Sequence, residues 1–136
     1  YFMIGFSEKE HEETERIIQI ARELSQLKKT VSRGAAEIKL SVNPFIPKPQ
    51  TEFQWMPMKN REELLEIKKA LIARSSKKIR VDVHDIDQSI LEAAISRGDR
   101  SVSDVIYSAW KNGARMDGWP DFFDINIWLR NLLSSS

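Results

Sequence analysis

The sequence contains no cysteine. That excludes a disulfide framework and any thiolate metal site supplied by this chain. No apolar run approaches the roughly 20 residues a bilayer-spanning helix needs. The opening YFMIG is too short for a signal-peptide core and carries no basic flank. An excess of one charge is also missing, since 21 Lys and Arg face 20 Asp and Glu. No global field therefore argues for nucleic acid or a membrane surface. No internal repeat is present, and the terminal SSS is the sole low-complexity stretch. The expectation is a soluble, cytoplasmic protein with no membrane partner and with nucleic acid disfavoured.

The charges that are present are unevenly placed. Residues 31–80 hold eleven basic and five acidic groups, and residues 81–136 hold five basic and nine acidic. Either this is an ordinary solvated surface, or the two parts attract each other, or the basic part faces an anion.

Hydrophobic periodicity divides the chain into alternating elements. Tyr1 to Phe6 is a continuous apolar run, which predicts a strand buried on both faces. Ser7 and Glu10 have capping-box spacing. Thr14, Ile17, Ile18, Ala21, Leu24 and either Leu27 or Lys28 then recur at helical spacing, and Lys28 and Lys29 close that helix with favourable charge. A second strand is predicted over Ala36 to Val42, with Ile38, Leu40 and Val42 on one face and Lys39 on the other. Asn43 and Pro44 are expected to stop it, because proline cannot donate to a ladder.

The next segment, NPFIPKPQTEFQWMP, contains Pro44, Pro47, Pro49 and Pro57 among several large apolar residues, which predicts an ordered loop packed on the domain. Asn60 and Glu63 repeat the cap spacing before a second helix. Ile79, Val81 and Val83 alternate with Arg80 and Asp82 in a third strand. Strand, helix, strand, helix, strand predicts parallel pairing with right-handed crossovers.

The remainder is helical in pattern. One helix is expected from about Asp87 to Ser96, ended by Gly98. Another is expected after Ser101, ended by Gly113. A last one is expected through Phe122 or Phe123, Ile125, Trp128, Leu129 and Leu132. Trp110, Trp119 and Trp128 read as packing residues around these helices, and His11 as an exposed helix residue. The expected organisation is βα units over 1–85, a helical extension over 86–133 and a disordered tail at 134–136.

Two architectures fit three parallel strands. One is a small open sheet complete in itself. The other is the final part of a barrel whose earlier strands precede Tyr1. Local sequence favours the second. YFMIGFSEKEHEETERI resembles the fifth-strand region of radical S-adenosylmethionine (SAM) enzymes. Met3, Gly5 and Glu8 stand at the isoleucine, second-glycine and glutamate positions of a loose Gly-x-Ile-x-Gly-x-x-Glu pattern, and Tyr1 replaces its first glycine. LSVNPFIPKPQTEFQW resembles the sixth-strand region. Ser41, Pro44, Phe45, Pro47, Lys48, Pro49, Thr51, Phe53 and Trp55 match the signature of the uncharacterised B12-binding-domain-associated radical SAM proteins. SRGDRSVSDVIYSAWKNGARMDGW is similar to their segment beyond the barrel core.

This resemblance implies a fragment of a partial TIM-type (β/α) barrel, with three mostly parallel strands, flanking helices and a C-terminal helical cluster. It implies SAM and a four-iron, four-sulfur cluster in a parent enzyme, with a role for cobalamin left open. The cluster's three cysteines would lie upstream, so the implied partner is an N-terminal half of the same enzyme. Alone, the chain is expected to lack radical chemistry and either to self-associate through its unpaired strand or to expose a large apolar face.

Barrel active sites are built by loops that follow strand C-termini. Gly5 there marks either close cofactor passage or a turn. Glu8 either meets a polar part of the cofactor or favours the first helical turn. Asn43 and Phe45 are implied to line the adenosine pocket, with Phe45 either stacking on a ring or belonging to the core. Lys48 either reaches an anion or is a solvated loop lysine. His84 and Asp85 end the third strand as weak catalytic candidates, since neighbours in a strand point oppositely. Two other classes stay open: an interaction module that uses the proline- and aromatic-rich loop, and a fragment of an RNA-modification enzyme.

Overall fold

The computed structural model describes residues 1–134. The expected tail at 134–136 lies outside them, apart from the backbone of Ser134, which ends the last helix. The order is β1 (Phe2–Ile4), α1 (Glu10–Val31), β2 (Ile38–Pro44), α2 (Arg61–Ile72), β3 (Ile79–Val83), α3 (Ile86–Arg97), α4 (Val102–Lys111) and α5 (Ile125–Ser134). The three strands form one parallel sheet in the order β1-β2-β3. Among the described residues the sheet is open rather than closed into a barrel.

Period-two alternation gives the sheet two unlike faces. Ile4, Leu40, Val42, Ile79 and Val83 are buried on one face, where they pack with Ile17, Ile18 and Ala21 of α1 and Leu64 and Leu71 of α2. Full burial of an aliphatic side chain such as Ile18 stabilises by about 1.5–3 kcal/mol, so this layer is the main source of cohesion. The other face carries Met3, Lys39, Asn43, Arg80 and Asp82, all exposed, and Ser41, half-buried. No helix covers it among the described residues.

Four sequence expectations need correction. First, β1 is not buried on both faces, because Met3 is 50% exposed. Second, β2 runs on through Pro44, which pairs with Ile4. The missing proline donor does no damage there, since the Phe45 N–H continues the ladder to the Ile4 carbonyl at 2.7 Å. Third, Ser7 and Glu10 do not form a capping box. The Ser7 hydroxyl accepts the Lys9 N–H at 3.0 Å, and α1 starts later without a side-chain cap. Fourth, α1 buries Ser25 while Leu24 and Leu27 are exposed. The Ser25 hydroxyl donates to the Ala36 carbonyl as the chain returns to β2, and that bond turns this stretch of α1 inward.

The expected cap of α2 is present. Asn60 accepts the Glu63 N–H at 2.9 Å and the Glu63 carboxylate accepts the Asn60 N–H at 3.0 Å. Such a cap stabilises by about 1 kcal/mol. Ser101 holds the N-cap position of α4 but makes no side-chain cap; its hydroxyl donates to Asp99 Oδ1 at 2.7 Å instead.

A second apolar cluster of Leu91, Ala109, Ala114 and Trp128 joins α3, α4 and α5. Gly98 permits the tight turn between α3 and α4, because a Cβ there would lie 2.0 Å from Val102 Cγ2. The helical extension is tied to the sheet layer through α3, whose Ile86 belongs to the first core. A two-pronged ion pair adds to this link: Arg61 Nε and Nη2 reach the Asp87 carboxylate at 2.5 and 2.8 Å. Among the described residues no helix is long and apolar enough to cross a membrane.

Candidate functional site

Parallel strands bring their C-terminal ends to one edge of the sheet. The chain therefore places Gly5, Asn43 and His84 along the same rim, although roughly forty residues separate each from the next. Two hollows open there. One, of about 310 Å³, is lined by Gly5, Phe6, Glu8, Met58 and Lys59 among others. The second, of about 380 Å³, is lined by His84, Gln88, Glu92, Asp117 and Phe123 among others.

Gly5 lies beneath the rim with φ +80°, a conformation that favours glycine. A Cβ there would stand 2.9 Å from Leu64 Cδ2. The close approach that requires glycine is thus to α2 of the same chain. Its N–H is engaged by Glu10 Oε1 at 3.0 Å. Glu8 is exposed on the wall of the first hollow.

Burial raises the Glu10 carboxyl above the ordinary glutamate range, against the opposing pull of the Gly5 N–H. Its Oε2 is buried and has no hydrogen-bond partner among the described residues. A carboxyl whose folded pKa is raised binds more protons in the folded state. Its stabilising contribution is therefore complete below the unfolded value, about 4.3 for glutamate, and is lost as pH rises through the folded value. The expected result is that Glu10→Gln is at least as stable as the wild type at neutral pH and loses less stability between about pH 4 and 8. Urea unfolding of both proteins across that range checks this; parallel pH profiles would reject it.

Phe45 is only 5% exposed. Its ring meets Phe6 edge-on at 5.0 Å between centroids, and Phe53 at 6.3 Å. Phe6 and Phe53 meet each other at 5.1 Å. The faces of this cluster that remain open to a ligand belong to the half-exposed Phe6 and Phe53 rather than to Phe45. Asn43 is exposed on the uncovered sheet face. Lys48 does reach an anion, the Glu92 carboxylate on α3, so this pair fastens the loop after β2 to the helical extension.

His84 and Asp85 have separate duties. His84 is exposed, borders the second hollow, and donates its backbone N–H to the Val42 carbonyl at 2.9 Å. Asp85 is the N-cap of α3, which begins at Ile86 rather than near Asp87; its Oδ1 accepts the Gln88 N–H at 2.9 Å. The Asp85 carboxylate is thus committed to the helix start.

The polar residues of the alternating strand patterns share the uncovered face. Lys39 Nζ and Asp82 Oδ2 are 2.9 Å apart, and the hydrogen bond from that ammonium holds the Asp82 carboxyl below its ordinary range. Arg80 stands beside Lys39 in register, and Ser41 beside Asp82. The alternation of Lys39, Ser41 and Asn43 with buried residues was a readable signal for this face. Among the described residues no group of three or more His, Cys, Asp or Glu side chains could hold a metal.

No family model matches the chain, and no solved structure matches it. It is similar to an uncharacterized protein of Methanocaldococcus jannaschii, 31% identical over 105 residues that make up 76% of the chain. Those residues cover 21% of that protein. The chain therefore spans about a fifth of the length of this curated relative.

Proposed function

We propose that this chain is the C-terminal portion of a radical SAM enzyme related to the B12-binding-domain-associated group, and that it supplies part of the SAM and substrate pocket. The observation that carries this reading is the winding of the sheet. The strands run β1-β2-β3 without reversal, both crossover helices pack on one face, and the opposite face is polar apart from Met3. A whole doubly wound sheet reverses its strand order and covers both faces, although one βαβαβ half of it winds as this sheet does. A barrel sector winds in one direction and turns its helix-free face inward. The NPFIPKPQTEFQW signature is the second support, and the greater length of the archaeal relative is consistent with further strands elsewhere in the protein.

In this reading the uncovered face is the inner wall of the barrel. Asn43 and Ser41 offer hydrogen bonds to a polar ligand there. Phe6 and Phe53 offer ring faces at the rim, while Phe45 supports them from below. Glu8 stands at the mouth of the first hollow. The cluster ligands belong to an N-terminal half of the same enzyme, which also completes the barrel against the free edge of β1. Once bound, the cofactor and cluster supply one-electron chemistry; cobalamin binding, if it occurs, belongs to another part of the polypeptide.

The test is anaerobic reconstitution of the full-length protein that contains this segment. Four iron and four sulfide per chain and dithionite-dependent cleavage of SAM are expected, and neither is expected from residues 1–136 alone. A full-length protein that holds no cluster and does not cleave SAM would overturn the proposal.

A second reading has one observation in its favour. Trp55 is 85% exposed at the tip of the proline-rich loop, beside the half-exposed Phe53. Such a projecting aromatic suits a docking surface. If the reconstitution fails, this loop is the place to look for a protein partner.

A further inference from the structure

Helix α1 carries two stripes of core-type spacing, and the described fold uses one. The first faces the sheet and holds Thr14, Ile18, Ala21 and Ser25. The second runs through Ile17, Ile20, Leu24, Leu27 and Val31, in steps of three, four, three and four residues. That is the heptad spacing by which one helix seats against another along a seam. With about 3.6 residues per turn, the second stripe lies about 100° around the helix from the first. Ile17 sits where the two stripes meet and is buried, and Ile20 is half-buried. Leu24, Leu27 and Val31 are 50%, 60% and 84% exposed. A single exposed leucine is ordinary, whereas a row of them in register along one helix flank marks an interface.

The position of the stripe shows what it faces. On its other flank α1 packs against α2, where Glu15 pairs with Arg74. The second stripe turns the opposite way, toward the edge of β1 that has no partner among the described residues. A groove of about 230 Å³ joins the two features, lined by Phe2 and Met3 of β1 and by Glu13, Arg16, Ile17 and Ile20 of α1. A bare strand edge and a bare helix flank therefore lie side by side on one margin of the domain. Parallel sheets grow by whole units of strand and crossover helix. A margin that awaits one such unit bares both features together.

We infer that Ile20, Leu24, Leu27 and Val31 seat a further helix of the same polypeptide, the one that leads into β1. Its own strand would pair with the free edge of β1, and the right-handed crossover places the helix in the same layer as α1 and α2. It runs parallel to α1, as successive crossover helices do. The archaeal relative has polypeptide enough for such a unit, since the matched residues cover 21% of it. The seam also accounts for Leu24 and Leu27, which follow the helical pattern of α1 and yet take no part in the first core. It concerns the outer helix layer and requires neither a cluster nor SAM.

The test uses the full-length protein that contains this segment. A diazirine-bearing leucine analogue is placed singly at Ile20, Leu27 or Val31, and at the outward-facing Gln19 as control. Crosslinks are mapped by mass spectrometry, and mixing isotopically labelled with unlabelled protein separates bonds within a chain from bonds between chains. Capture within the chain is expected, by one segment directly ahead of β1, with Ile20 and Val31 reaching it in the same N-to-C order; Gln19 is expected to capture only solvent. Carbene footprinting of the unsubstituted protein reads the same flank if a substituted one does not fold. Leu24, Leu27 and Val31 are expected to label as weakly as the buried Leu64. Crosslinks between chains, which a second copy on this flank would give, would overturn the assignment. So would a reversed order, capture by any other segment, or labelling of the stripe at the level of Gln19. Cluster assembly and SAM cleavage are read separately, so failure of this seam and failure of the radical SAM reading are distinct results.

Discussion

Phe45→Ala is expected to lower stability by about 3–5 kcal/mol, the usual loss on truncating a buried aromatic. Phe45 is the innermost member of the three-ring cluster, and its backbone N–H extends the ladder from β2 to Ile4. Truncation leaves a void where Phe6 and Phe53 lose the ring they now meet edge-on. With total stabilities of typical domains near 5–15 kcal/mol, the variant should remain folded but unfold at much lower urea concentration. The same substitution in the full-length protein separates packing from ligand contact. A large loss of stability with SAM affinity unchanged makes Phe45 purely a packing residue. Weakened affinity with little loss of stability would contradict its burial.

The second large effect is expected at Gly5. Alanine there must adopt a left-handed conformation that costs about 1–2 kcal/mol, and its Cβ must displace Leu64. Overpacking of this kind adds about 1–3 kcal/mol. Leu64 is fully buried, so Leu64→Ala alone should cost about 2–5 kcal/mol. In the double variant the added methyl enters the space the leucine vacates. The two losses should then sum to less than additive, by more than the few tenths of a kcal/mol seen for independent sites. Urea denaturation of the four proteins measures the coupling. Strict additivity would show that backbone conformation alone makes Gly5 necessary.

The alternation of strands and helices was legible because β2 and β3 carry period-two patterns and α2 carries its own start signal in Asn60 and Glu63. The ends of elements were less so. Asp85 stood beside His84 at a strand end as a weak catalytic candidate, and its carboxylate caps α3. Nothing local separates those roles. Ser25 and Asn131 were missed as interior residues for a related reason. Each is buried because a distant partner satisfies it: the Ala36 carbonyl for Ser25 and the Asn112 side chain for Asn131. Helical periodicity ranks leucine above serine and asparagine and cannot see such partners. The candidate rim was legible as a set, since strand ends predict it. The division of labour within it was not, because which of Phe6, Phe45 and Phe53 lies innermost depends on how the loop after β2 folds back.

The sheet's wiring also governs how the chain reaches this structure. Phe2 pairs with Val42 and Ile38 with Ile79, so each ladder closes a loop of roughly forty residues before its first hydrogen bond forms. Neither ladder has a hairpin from which to zip. Helices, by contrast, form from near neighbours, so α1 and α2 can present their apolar stripes early while the strands are still apart. Among the described residues β2 is the strand with a partner on each side, and its docking against the helix layer is the step on which both ladders wait. Folding should therefore be slow for a chain of this size, with β2 as its bottleneck and β1 as the last strand to dock.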